Sequence, residues 1–177
     1  KPLVSMPFTP PVSLLNGLSV RAFNTLYRHA KSRHSAPKIV PYDPFFYPLD
    51  MVDHWNRFYG PNGLHQHQSV IPVEAANTII PAMLQASRDA GQVSFLTVIK
   101  KFGTKASPGL ISFARPGYTL TLDFPHHGAK TLKLLDRLDA MTVDAGGAVN
   151  PYKDSRMSPQ TFEASFPNWR ELEALRD

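Results

Sequence analysis

The sequence predicts an α+β domain, a four-stranded antiparallel sheet carrying two helices on one face. Three observations predict it. Short β-rich segments alternate with period two, most cleanly from Tyr118 to Phe124. Two longer segments, Glu74 to Ala90 and Ala129 to Ala145, place apolar residues at helical spacing. Between Leu64 and Asn150 these pieces run strand, helix, strand, strand, helix, strand, which is the split-βαβ or ferredoxin-like order.

The elements follow in turn. Ten of the 17 prolines precede Val73, so residues 1–63 read as a Pro-rich extension of turns and extended pieces, expected to pack on the core. One helix interrupts it, from about Ser19 to His29, with Phe23, Leu26 and Tyr27 on one side, and Lys31 to Ser35 reads as a polar loop. The core, residues 64–177, opens with a strand from His65 to Ile71. In the first core helix Ala76, Ile79, Ile80, Met83 and Leu84 form the stripe, Pro81 should bend it, and Gly91 stops it. Val93 to Lys101 is β-branched and aromatic, hence a strand. The second core helix carries Leu134, Leu135, Leu138, Met141 and Thr142, and Gly146-Gly147 ends it. Ala148 to Asn150 is the last short strand, with a helical segment after it.

Composition narrows the classes. With 42% hydrophobic and 19% charged residues the chain is an ordinary globular one. The absence of cysteine excludes disulfides, thiolate zinc sites and thiol catalysis. A net charge of +5 permits anionic partners without naming one. No apolar run approaches the roughly 20 residues of a membrane span. A chain starting at Lys1 rather than Met reads as a fragment.

Strand parity sorts the side chains. Leu120, Leu122 and Phe124 belong under the helices, so Thr119, Thr121 and Asp123 face away. Phe95, Thr97 and Ile99 are the matching helix-side set, with Leu96, Val98 and Lys100 opposite. Gln66 and Gln68 are assigned to this second face, with His67, Ser69 and Ile71 behind. The second face is expected to be open, with polar groups on an apolar floor, as in small-molecule sites. Lys153-Asp154-Ser155-Arg156 leaves the last strand at its edge. His65 and His67 share a face, but no third metal ligand accompanies them, and no metal is expected. No phosphate-cradling glycine loop or nucleophile motif occurs.

Several motifs in fixed order carry a resemblance. They are Phe46-Tyr47-Pro48-Leu49-Asp50, Trp55-Asn56-Arg57, Tyr59-Gly60-Pro61, Gln66-His67-Gln68, Phe102-Gly103, Pro116-Gly117, Asp123-Phe124-Pro125, Gly146-Gly147 and Lys153-Asp154-Ser155-Arg156. From about Phe8 to Trp169 the chain resembles the C-terminal substrate, or cap, domain of FAD-linked oxidoreductases of the vanillyl-alcohol oxidase and aldonolactone oxidase class. Within that class it is nearest the branch that oxidises a polyprenyl-phosphoryl pentose as the first half of an epimerisation.

The resemblance implies a piece of an enzyme, inactive alone, whose FAD is bound mainly by a separate N-terminal domain. The implied reaction is hydride transfer from a secondary alcohol carbon of a sugar to flavin. Lys153 would approach the flavin and the reacting carbinol, as a hydrogen-bond donor rather than a base, and Asn150 would also lie against the cofactor. Gln68, Lys100, Phe102, Leu96, Thr121, Thr119 and Phe46 would line the substrate site. The implied partners are the sugar substrate, the chain's own FAD-binding domain and a reductase completing the epimerisation. Departures from that branch stand at Thr121, where it has a pocket cysteine, and at Asn150, Phe46 and His67, where it has tyrosines. An aldonolactone, a polyprenyl-phosphoryl pentose and another polyol therefore stay open as substrates. The alternative, a free-standing module binding RNA or another polyanion, lacks an aromatic pair on the second face to stack bases, so no nucleic acid is expected; an oligomerisation module is the third reading.

Overall fold

The computed structural model describes residues 4–32, 39–153 and 155–176. The chain divides into two compact units, Lys1–Leu64 and His65–Asp177.

In the first unit, β1 (Val4–Ser5) pairs in parallel with β2 (Val52–Asp53), a contact between short segments that carries no periodicity to read. Arg57 fastens it by donating from Nη1 to the Met6 carbonyl at 2.7 Å. Helix α1 spans Gly17–Ser32, longer at both ends than expected. Its start is set by Asn16, whose Oδ1 accepts from the Leu18 and Ser19 amides at 3.0 Å each. Lys31 and Ser32 thus belong to the helix, while the rest of the expected polar loop, Arg33 to Ser35, lies outside the described residues. A short helix α2 (Tyr42–Phe46) follows, then two 3-10 turns, Pro48–Met51 and Trp55–Tyr59.

The second unit is the predicted α+β core. Its elements are β3 (Leu64–Ile71), α3 (Val73–Asp89), β4 (Thr97–Phe102), β5 (Gly117–Pro125), α4 (Ala129–Asp144) and β6 (Ala148–Val149), followed by α5 (Pro159–Ser165) and α6 (Trp169–Glu173). The sheet order is β4-β5-β3-β6, so each βαβ crossover spans one intervening strand. The β4–β5 and β3–β6 pairs are antiparallel. Ile71, Met83, Leu120, Leu122, Phe124, Leu135 and Leu138 are fully buried between sheet and helices. Burying one such side chain contributes about 1.5–3 kcal/mol, so this layer dominates the unit's stability.

Helix ends follow the glycines. Gly91 adopts φ +60°, and Gln92 donates back to the Ser87 carbonyl at 3.0 Å. The Gln92 side chain then reaches Thr131 Oγ1 at 2.9 Å, tying the end of α3 to the start of α4. Helix α3 runs unbroken through Pro81, which is exposed.

One boundary differs from expectation. β4 begins at Thr97 and not at Val93, because Ser94 folds onto its own neighbourhood: its Oγ donates to the Leu96 carbonyl at 2.7 Å and accepts from the Asp123 amide at 3.0 Å. A local side-chain bond replaces ladder pairing there.

Close approach fixes Gly147. A Cβ there would overlap the Val70 carbonyl oxygen and come within 2.9 Å of the Thr142 carbonyl oxygen. The first belongs to β3, which pairs with β6, and the second to the last turn of α4, where it accepts from the Gly147 amide at 2.9 Å. Gly147→Ala should therefore destabilise the protein by about 3 kcal/mol. Thermal unfolding should show the melting point roughly 6 to 12 °C lower.

Candidate functional site

The register of β4 on β5 sorts the predicted residues. Lys100 stands opposite Thr119, Val98 opposite Thr121 and Phe102 opposite Gly117. Ile99 stands opposite the core residue Leu120, so the helix side and the second face separate as parity requires. Ile99 is nonetheless 52% exposed, because β4 is the sheet's edge strand. On β3, Gln66 donates to Asp123 Oδ1 at 2.7 Å, which puts it on the second face with Asp123. Gln68 shares its parity. Gln68, Lys100, Thr119, Thr121 and Phe102 are thus on one face, with Asn150 at its end beside Gln68.

That face is not open along β5. Thr119, Thr121 and Asp123 are 1%, 8% and 0% exposed. The central strand carries polar side chains in a buried setting, where each hydroxyl needs a partner. Thr119 Oγ1 has none among the described residues.

The Gln68–Asn150 pair has a defined polarity. Asn150 donates from Nδ2 to Gln68 Oε1 at 2.7 Å, and its Oδ1 accepts from the Tyr152 amide at 3.0 Å. Its backbone amide also donates to the Gln68 carbonyl at 2.8 Å. A backbone N–H thereby fixes which way Asn150 points, and Asn150 fixes Gln68. The Gln68 Nε2 is left as a donor. The cleft beside it, lined by Gln66, Gln68, Asn150, Arg156 and Met157, has room for about one water molecule.

The polar cluster after β6 divides. Lys153 is exposed on a turn and Asp154 lies outside the described residues. Arg156 turns to helix α4, where its Nη1 and Nη2 donate to Asp139 Oδ2 and Oδ1 at 2.8 and 2.9 Å. His67 Nε2 stands 3.1 Å from the same Oδ1. Asp139 and His67 are 4% and 2% exposed. Burial alone would raise the Asp139 pKa, but hydrogen bonds and charge from His67 and Arg156 outweigh it and hold the carboxyl below its ordinary value. Arg156 is therefore a structural anchor. The sequence carried a signal for this missed residue: Asp139 sits in helical register between Leu135 and Thr142, a buried position where a charge demands a partner.

The surroundings of the remaining expected residues differ. Leu96 precedes β4, so strand parity no longer assigns it to the second face, and its carbonyl is held by Ser94. Phe102 is half-buried and edge-on to Phe113, ring centres 6.0 Å apart. Phe46 belongs to the first unit, in α2, 67% exposed and edge-on to Phe45. His65 and His67 do not act together: His65 Nε2 lies 2.9 Å from His126 Nδ1, while His67 joins Asp139. Among the described residues no group of three or more potential metal ligands occurs.

The chain is 33% identical over 174 residues to decaprenylphosphoryl-beta-D-ribose oxidase of Mycolicibacterium smegmatis, a match covering 98% of this chain and 37% of that protein. It is 33% identical over 102 residues to a Streptomyces coelicolor protein described as an uncharacterized protein in mprA 5'region, covering 56% of this chain and 28% of that one. The chain thus spans well under half the length of either relative. No protein-family model matches it. The similarity to the ribose oxidase extends along nearly the whole chain.

The Asp139 hub yields a stability prediction. Its folded pKa is depressed, so its contribution is complete above the unfolded value of about 3.9 and disappears as pH falls through the folded one. Asp139→Asn removes the buried counter-charge of the Arg156 guanidinium, leaving only the exposed Asp136 carboxylate 3.4 Å from Nη1, and should cost about 3 kcal/mol near neutrality. Denaturation followed against pH should show the gap between wild type and variant closing on acidification below about pH 4. A gap unchanged at low pH would mean the carboxylate's charge is not what stabilises.

Proposed function

We propose that this chain is the substrate-side cap domain of an FAD-dependent oxidoreductase that oxidises a secondary alcohol of a sugar or sugar derivative. The observation that carries the reading is 33% identity, sustained over 98% of the chain, to an enzyme whose name describes oxidation of a polyprenyl-linked ribose. A polyprenyl-phosphoryl pentose is accordingly the favoured substrate, with an aldonolactone or another polyol as the nearest alternatives. A reductase completing an epimerisation would be the partner.

The described residues offer no glycine-rich cradle for a dinucleotide, so this chain would contribute an edge of the cofactor site. Lys153 suits that edge, since its ammonium stands on an exposed turn with no partner among the described residues. Asn150 suits it less well as a direct contact, because both its amide groups are committed, to Gln68 and to the Tyr152 amide. FAD, held by a separate domain, would supply the hydride acceptor.

The chain's own side chains would do the rest. Gln68 would present its Nε2 donors to a sugar oxygen, and Lys100, opposite Thr119, would supply positive charge to an oxygen or phosphate. Lys153 would donate to the carbinol oxygen and stabilise the charge gathering there as the hydroxyl proton leaves to water. The buried polar β5 strand and the Phe102 ring would limit water in the site.

The test uses the full-length protein. It should be yellow, and its flavin absorbance should bleach anaerobically on addition of a polyprenyl-phosphoryl ribose. A colourless protein that retains RNA on a filter would instead support the polyanion-binding alternative. Lys153→Ala should lower kcat by roughly a hundredfold or more with flavin still bound. Gln68→Glu keeps the acceptor for Asn150 but removes the Nε2 donors, and should raise KM about tenfold. An unchanged KM would remove Gln68 from the site.

A further inference from the structure

Helix α1 inverts the usual arrangement of a surface helix. Of its 16 residues only Val20 is a buried one. Leu18, Leu26, Tyr27 and Phe23 are 79%, 72%, 56% and 52% exposed. At helical spacing Leu18, Ala22, Leu26, Phe23, Ala30 and Tyr27 fall on one side of the helix. Arg21, Arg28 and Lys31 fall on the other, and the segment holds no acidic residue. Lys31 lies at the border, its ammonium 5.5 Å from the centre of the Tyr27 ring. An apolar, aromatic face backed by cations and neutral polar residues, with no carboxylate, is the pattern of a helix lying in a membrane interface.

We propose that α1 is a docking surface for an anionic lipid bilayer, its leucines and aromatic rings entering the interface and its arginines and lysine engaging lipid phosphates. A second copy paired through the apolar face would leave Arg21, Arg28 and Lys31 on the outer side with no anionic partner, since the helix carries no carboxylate. An anionic bilayer satisfies both faces at once. Each cation near such a surface contributes about 1 kcal/mol, so three together amount to roughly a hundredfold in partitioning. The same unit also exposes Tyr42, Phe45, Phe46 and Tyr47, amphipathic or aromatic groups of the type found at headgroup level. The inference is independent of the proposed oxidation chemistry.

Vesicle flotation of the full-length protein tests it. The protein should float with vesicles of phosphatidylcholine and phosphatidylglycerol, stay down with phosphatidylcholine alone, and be released by high salt, which shortens screening to about 3 Å at 1 M. The triple variant Arg21→Gln, Arg28→Gln, Lys31→Gln should lose about a hundredfold in binding to the anionic vesicles. Leu26→Asp should lose at least about tenfold while its circular dichroism and melting point stay at wild-type values, since Leu26 is exposed. A protein that stays down with the anionic vesicles, or variants that float as well as wild type, would overturn the proposal. So would a Leu26→Asp protein that loses its melting transition, because α1 would then be an internal contact of the whole protein.

Discussion

One buried carboxylate organises the second unit. Asp139 sits in α4 between core residues and meets His67 of β3 and Arg156 of the turn beyond β6. Three segments distant in sequence are thereby fixed at one point. The cost of burying the charge is offset only because two partners reach it, one of them in bidentate geometry. The turn bearing Lys153 lies between Asn150, bonded to Gln68, and Arg156, bonded to Asp139. Both flanks of Lys153, which has no partner among the described residues, are thus anchored, one to the sheet and one to the helix.

Much of the core was legible because period and punctuation agree. In β5 the alternation is clean, and Leu120, Leu122 and Phe124 are all buried under the helices. Gly91 and Gly146 stop their helices with positive φ, as a backbone needing the left-handed region requires. The start of β4 was not legible, since Val93, Ser94, Phe95 and Leu96 have β propensity and only the Ser94 side chain cancels it. Propensity reports what a backbone tolerates, while a hydroxyl bonded to its neighbour's carbonyl decides what it does. The parallel β1–β2 pair was invisible for the opposite reason, being two residues per strand with no pattern at all.

The facing of the strand residues was legible in the sequence, and their environment less so. Parity alone collects Lys100, Thr119 and Thr121, and the β4–β5 register agrees. Burial is a different matter. A strand reading Thr119, Leu120, Thr121, Leu122, Asp123 looks half-wet by alternation, yet all five are buried. Threonine and a bonded aspartate are cheap enough to bury that composition cannot separate a solvated face from a covered one. The role of Arg156 was not legible, because a basic residue three positions beyond Lys153 reads as part of the same polar cluster. Its direction is set by Asp139, 17 residues earlier, which only the helical register exposes.

The polarity of Gln68 illustrates how a sheet face acquires directed chemistry. Backbone amides in a sheet interior are spent on the ladder, so side chains must provide the donors, and a primary amide can present either end. Here the choice is made in steps. The Tyr152 amide can only donate, so Asn150 must turn its oxygen toward it; Asn150 then has only an NH2 to offer, and Gln68 must answer with Oε1. Donors are what remain. A tyrosine at position 150, as in the branch this chain resembles, has a hydroxyl that donates or accepts and would leave Gln68 either way round. With asparagine there, Gln68 is held to one role, which in the proposed reading favours a sugar oxygen acting as acceptor. The difference at position 150 therefore changes what the face demands of its ligand without changing the fold that carries it.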